Sequence, residues 1–204
     1  MIRNIVFDLG GVLLDIDFKR TFDAFEALGI EYSHSYTEHP EILQLFINLE
    51  KGMYTEHGFH KRFRVLTGFE GCKHDLNDAI NALLVDYWPD RIKRVQELSR
   101  THNTYILSNT NEIHCNFYNQ LLSDSLGIKS LDHLVKKAYY SHELKSRKPE
   151  SEIYNRMIKD SGINPKESLF IDDRQENLDA AEKLGFKVML VDDEYTIIEG
   201  LKNL

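Results

Sequence analysis

Two apolar runs in this chain end in carboxylates: Ile5-Val6-Phe7-Asp8 and Leu169-Phe170-Ile171-Asp172-Asp173. A buried strand that stops at an acid presents it at the carboxyl edge of a sheet, where open α/β proteins bind ligands. Gly10 and Gly11 follow the first run at once and let the backbone turn and approach a ligand closely. The adjacent pair Asp172-Asp173 is costly to desolvate unless a cation is near. Oxygen-only ligands of this kind suit Mg²⁺, which takes one or two carboxylates and keeps several waters. A third run, Thr104-Tyr105-Ile106-Leu107, ends in Ser108-Asn109-Thr110-Asn111, whose hydroxyl and N–H groups can face an anion. In Ser146-Arg147-Lys148-Pro149-Glu150 the proline reads as the first position of a helix, which places Lys148 at a helix start. There its ammonium can neutralise a phosphate as a point charge. Asn177 and Asp179 follow on the next helix and could orient the paired acids, although Asn177 also reads as a cap. Each feature alone has an ordinary explanation as a turn former, a helix cap or a solvated lysine.

The elements that must position these residues are short β-branched or aromatic runs at wide intervals. They cover residues 5–7, 104–107, 168–171 and 187–191, with a weaker one at 137–141. Helical patterns lie between them, so the fold expected is α/β: a Rossmann-like parallel sheet with helices on both faces. Residues 18–87 differ, showing helical periodicity throughout and no good strand. Ile42, Leu45, Phe46 and Leu49 share a face, as do Phe59, Phe63 and Leu66, and then Leu76, Ile80, Leu83, Leu84 and Tyr87. Gly52, Gly68 and Gly71 punctuate these runs as helix ends. The reading is an inserted helical cap at 18–87 and a core of 1–17 plus 88–204.

The chain has 204 residues, 42% of them apolar, enough for a sizeable core with an insertion. Its net charge of −8 argues against binding to nucleic acid or to an anionic membrane, both of which need a basic surface. An anionic substrate would then need a local positive centre. Cys72 and Cys115 show no CxxC spacing, so neither a disulfide framework nor a zinc site is expected. No run has the length of a signal peptide or spanning helix, which reads as a soluble, cytoplasmic protein. His34, His39, His57 and His60 are irregularly spaced and read as solvent-exposed, while His114 and Trp88 read as packing residues.

The order of these features carries more than any one of them. The segments FDLGG, ILSNTN, RKPESEIY and FIDDRQEN resemble the four motifs of the haloacid dehalogenase-like hydrolase superfamily, over essentially the whole chain. Asp15-Ile16-Asp17-Phe18 with Arg20, and the uninterrupted Ser108-Asn109-Thr110-Asn111, are most similar to its branch of small bacterial sugar-phosphate phosphatases, typified by α-D-glucose-1-phosphate phosphatase.

That resemblance implies a Mg²⁺-dependent phosphatase acting on a small phosphorylated metabolite through an aspartyl-phosphate. It makes Asp8 the nucleophile, assigns Mg²⁺ to Asp8, the Gly10 carbonyl and Asp173, and gives the phosphoryl oxygens to Lys148, Ser108 and Asn109. Asp172 becomes a support for Lys148 or for metal-bound water. In most phosphatases of the superfamily a second Asp, two residues past the nucleophile, moves the leaving-group proton; here that position is Gly10. Asp15, Asp17, Arg20 and metal-bound water are the candidates to replace it. Two other readings stand beside this one, a metal-independent 2-haloacid dehalogenase and a non-catalytic phosphometabolite-binding protein. Oligomeric state is left open.

Overall fold

Alternation along the short strands decides the layering. Ile5, Phe7, Ile106, Leu169 and Ile171 point into one apolar cluster, while Val6, Tyr105, Leu107 and Phe170 point into another. Strands buried on both faces need helices on both faces. The computed structural model describes residues 1–30 and 39–204. In chain order the elements are β1 (Asn4–Phe7), β2 (Leu14–Ile16), α1 (Phe18–Ala27), α2 (Pro40–Glu50), α3 (Glu56–Thr67), α4 (Lys73–Asn81), β3 (Leu84–Tyr87) and α5 (Pro89–Leu98). Then follow β4 (Asn103–Ser108), α6 (Glu112–Leu126), β5 (Lys137–Tyr140), α7 (Ser141–Leu144), α8 (Ser151–Ser161), β6 (Ser168–Asp172), α9 (Gln175–Lys183), β7 (Lys187–Leu190) and α10 (Ile197–Gly200).

Among the described residues the main sheet has five strands in the order β5-β4-β1-β6-β7, and every pairing is parallel. Helices α5, α6 and α10 pack on the Ile5 face, and α8 and α9 on the Val6 face. Register brings the ends of three neighbouring strands level, with Phe7 opposite both Ile106 and Ile171. The chain therefore leaves β1, β4 and β6 at one edge, and the Asp8 N–H still donates to the Ile171 carbonyl at 2.8 Å. Helices α1 to α4 enclose a core of their own, built on Phe25, Leu45, Leu49, Phe59, Phe63 and Ile80. Among the described residues, no helix is long and apolar enough to cross a membrane.

Three expectations need correction. Residues 18–87 are not helical throughout: α4 stops at Asn81, and Leu84–Tyr87 forms β3, antiparallel to β2, with Leu14 opposite Tyr87. The apolar spacing at Leu83, Leu84 and Tyr87 suits a helix face and a short strand alike. Pairing with β2 settles it, and all three side chains join the core on the Ile5 face. Next, Pro149 does not open a helix. Helix α8 starts at Ser151 with Glu150 as its N-cap, and the Lys148–Pro149 peptide, which is cis, lies in the preceding turn. That turn is closed by the Glu150 N–H donating to the Arg147 carbonyl at 2.8 Å. Finally, His60 is buried rather than exposed, with its Nε2 at 2.8 Å from Asn77 Oδ1. His57 is exposed, and His34 lies outside the described residues.

Candidate active site

At the level edge of β1, β4 and β6, a buried lysine joins two carboxylates. Lys148 Nζ stands 2.8 Å from Asp8 Oδ1 and 2.6 Å from Asp172 Oδ2. Removing an ammonium from water costs several kcal/mol, roughly, so a side chain only 1% exposed persists there only because both anions receive it. Burial works against the charge on Lys148, but Asp8 and Asp172 outweigh it and hold its pKa above the usual value.

The lysine is placed through its backbone. Asn109 Oδ1 accepts from the Lys148 N–H at 2.8 Å, and Asn109 Nδ2 donates to the Lys148 carbonyl at 2.9 Å. Asn109 thereby positions Lys148 through one amide N–H and its carbonyl oxygen, and the side chain also lines the cavity. Asp172 is also satisfied: its Oδ2 takes Lys148, and its Oδ1 accepts from Asn177 Nδ2 at 2.8 Å and from the Arg174 N–H at 3.0 Å. This arrangement favours Asp172 as the support of Lys148, with Asn177 orienting it. Asp179 instead accepts from Gln175 on the exposed side of α9.

Asp8, Asp172 and Asp173 each offer an oxygen within 4.8 Å of one another. The Asp8 carboxyl is pushed up to about 7: burial raises it, Lys148 opposes, and Asp172 and Asp173 add to the rise. Burial, then Asp172, also raises Asp173. Three acids against one ammonium leave an excess of negative charge, and an oxygen donor set of this kind fits a hard divalent cation such as Mg²⁺. The loop after β1 is shaped to allow it. Arg91 Nη1 holds the Gly11 and Val12 carbonyls at 3.3 and 3.0 Å. Gly11 has φ +72° and faces Asp173 so closely that a Cβ would lie 2.6 Å from Asp173 Oδ2.

Asp8, Lys148, Asp173 and Asn177 line a cavity of about 160 Å³ together with Gly10, Ile16, Phe18, Ser108 and Asn109. Glu50, Arg147 and Arg174 also line it, and sequence reasoning missed all three as site residues. Arg147 stood in a quoted motif beside Lys148, but nothing in the local sequence aims the end of α2 at this edge. Asp15, Asp17 and Arg20 do not line the cavity, and Asp17 is occupied in capping α1 through the Lys19 N–H at 2.9 Å. His114 is a packing residue, with Nδ1 at 3.0 Å from Asn81 Oδ1, and burial lowers its pKa to about 4.

Fold and site together define a class, and the comparisons agree: residues 2–185 match the family model described as haloacid dehalogenase-like hydrolase. The chain belongs to that hydrolase family. It is 33% identical over 187 residues to the D-ribitol-5-phosphate phosphatase of Bacteroides thetaiotaomicron, covering 92% of this chain and 90% of that protein. Among solved structures, a predicted HAD-like family hydrolase from Porphyromonas gingivalis superposes with a TM-score of 0.89 at 31% identity, covering 99% and 97% of the two chains. An HAD family enzyme of Bacteroides thetaiotaomicron, solved in complex with magnesium and inorganic phosphate, gives 0.82 at 31% identity, covering 93% and 94%.

Proposed function

We propose that this hydrolase is a Mg²⁺-dependent phosphatase that removes the phosphoryl group from a small sugar or polyol phosphate by way of an aspartyl-phosphate on Asp8. The observation that carries this is the single ammonium of Lys148 bridging Asp8 and Asp172 at 2.8 and 2.6 Å, with Asp173 alongside. A carboxylate is a competent phosphoryl acceptor, and a covalent intermediate divides one hard step into two easier ones. Asp8 and the substrate are both anions, so attack needs their repulsion neutralised. Lys148 supplies one fixed positive charge at the attacking oxygen, preorganised by its burial and by Asn109. Asp8, the Gly10 carbonyl and Asp173 would hold the Mg²⁺, which supplies the rest of the neutralisation when bound. Ser108 ends β4 in the cavity wall and offers its hydroxyl to a phosphoryl oxygen. The helices within 18–87 act as the cap that excludes water. The relationship to a ribitol-phosphate phosphatase favours a polyol or sugar phosphate over other monoesters, glucose 1-phosphate included among the candidates.

A screen of phosphorylated metabolites with Mg²⁺ and with EDTA tests this reading. Phosphate release should be abolished by chelation and restored by Mg²⁺. Equal turnover in EDTA would refute the metal assignment and return the dehalogenase reading. Tight phosphate binding without release, under all conditions, would favour a binding protein.

A further inference from the structure

Cleaving an alkyl phosphate requires a proton for the departing oxygen, because an alkoxide is a far poorer leaving group than a phenolate. Among the described residues, the titratable lining of the cavity is short. Its carboxyls are Asp8, Glu50 and Asp173, and its cations are Arg147, Lys148 and Arg174. Arginine does not release its proton in proteins, and Lys148 is held charged by two carboxylates. In the reading proposed above, on which this inference rests, Asp8 attacks phosphorus and Asp173 holds metal. Gly10 has no side chain, and Ile16 Cδ1 lies 3.3 Å from where its Cβ would be. Among the described residues one acid of the lining is left over, and it is Glu50.

Glu50 ends α2 and so enters the cavity from a different layer than Asp8. Its Oε2 lies 2.8 Å from Arg147 Nε, yet both atoms are sealed from solvent without an aligned hydrogen bond. The contact engages Oε2 alone and leaves Oε1 to serve another oxygen. Burial raises the pKa of Glu50 and prevails over Arg147, Arg174 and Lys148, the cations that face it and favour its charged form.

We propose that Glu50 is the proton donor and acceptor of this site. As an Asp8 oxygen bonds to phosphorus and the bond from phosphorus to the leaving oxygen breaks, the Glu50 carboxyl passes its proton to that oxygen and an alcohol departs. Water then attacks phosphorus and the bond from phosphorus to Asp8 breaks. The proton lost by the water returns to Glu50. Inorganic phosphate leaves, and both carboxyls end as they began.

The test is kcat/KM against a graded series of aryl and alkyl phosphates with Mg²⁺, using the whole chain. Glu50→Gln should lose about 10²–10⁴-fold on alkyl phosphates and less than about tenfold on p-nitrophenyl phosphate. Its alkyl-phosphate pH profile should lose the alkaline limb. Glu50→Asp should keep that limb at a reduced rate, which guards against a folding artefact, as does a thermal melt of each variant. Arg147→Met breaks the same ion pair but spares the carboxyl, so the limb should move to higher pH as a cation favouring the carboxylate is lost. Unchanged rates in Glu50→Gln, equal losses on aryl and alkyl esters, or identical behaviour of the Glu50→Gln and Arg147→Met proteins would overturn the proposal and leave Glu50 as a latch. A natural protein that releases phosphate from neither ester would overturn the phosphatase reading as well.

Discussion

The two walls of the cavity are built by different means. On the sheet side, Lys148 and Asp172 are 1% and 0% exposed, and the Lys148 ammonium and both Asp172 oxygens are held by backbone or buried side-chain partners. Where the helical side meets it, Glu50 of α2 and Arg147 of the turn before α8 are 25% and 21% exposed and meet without an aligned hydrogen bond. Their neighbours continue the seam, with Lys51 on Glu150 at 2.7 Å and Lys145 on the Gly52 carbonyl at 2.9 Å. The contrast teaches that the groups proposed to act on phosphorus are held by a sheet edge whose geometry is over-determined. Glu50, proposed to face the leaving group, sits on a docked helix end, where contacts are fewer and more easily exchanged.

The largest effect should come from Asp8→Asn, which preserves size but removes the attacking anion. Turnover should fall by at least about 10⁴-fold, the scale of losing a covalent nucleophile, while a thermal melt shows a folded protein. Substantial hydrolysis by Asp8→Asn would dissolve the special status of the sheet side.

An intermediate effect is expected from Lys148→Met. Loss of one preorganised charge contact costs about 10²–10³ in rate. Breaking a buried ion pair also costs roughly 3–5 kcal/mol of stability, here because Asp8 and Asp172 are left facing each other. Steady-state kinetics and urea unfolding, with and without Mg²⁺, measure both. Near-normal values for both would mean that the sheet-side pair is no more constrained than the seam.

The smallest effect should come from Lys51→Ala, whose pair with Glu150 is partly open to solvent on both sides. Such pairs are worth less than about 1 kcal/mol and are screened by salt. Unfolding free energies at low and high salt should therefore differ little between variant and natural protein. A loss rivalling that of Lys148→Met would erase the comparison.

Much of the sheet side was legible in the chain because strands write their burial locally. The runs ending at Asp8, Ser108 and Asp172 are each continuous enough to mark a strand, and a strand fixes where its last residue lies. The Lys148 segment was legible as a charge between elements, but its helix start was misread, since Pro149 suits a turn as well as a first helical position. The strand at Leu84–Tyr87 was missed because its spacing suits two structures and only pairing with Leu14–Ile16 separates them.

By itself the sequence determined the α/β alternation, the run of helices α1 to α4 and the acids at the strand ends, because these depend on periodicity and on neighbours within a few residues. Only the tertiary structure decided that Asn109 grips the Lys148 backbone, that Asp172 spends its oxygens on Lys148 and Asn177, and that Glu50 lines the same cavity. Each of those contacts joins elements far apart in the chain, and no local pattern encodes which distant surface an element will meet.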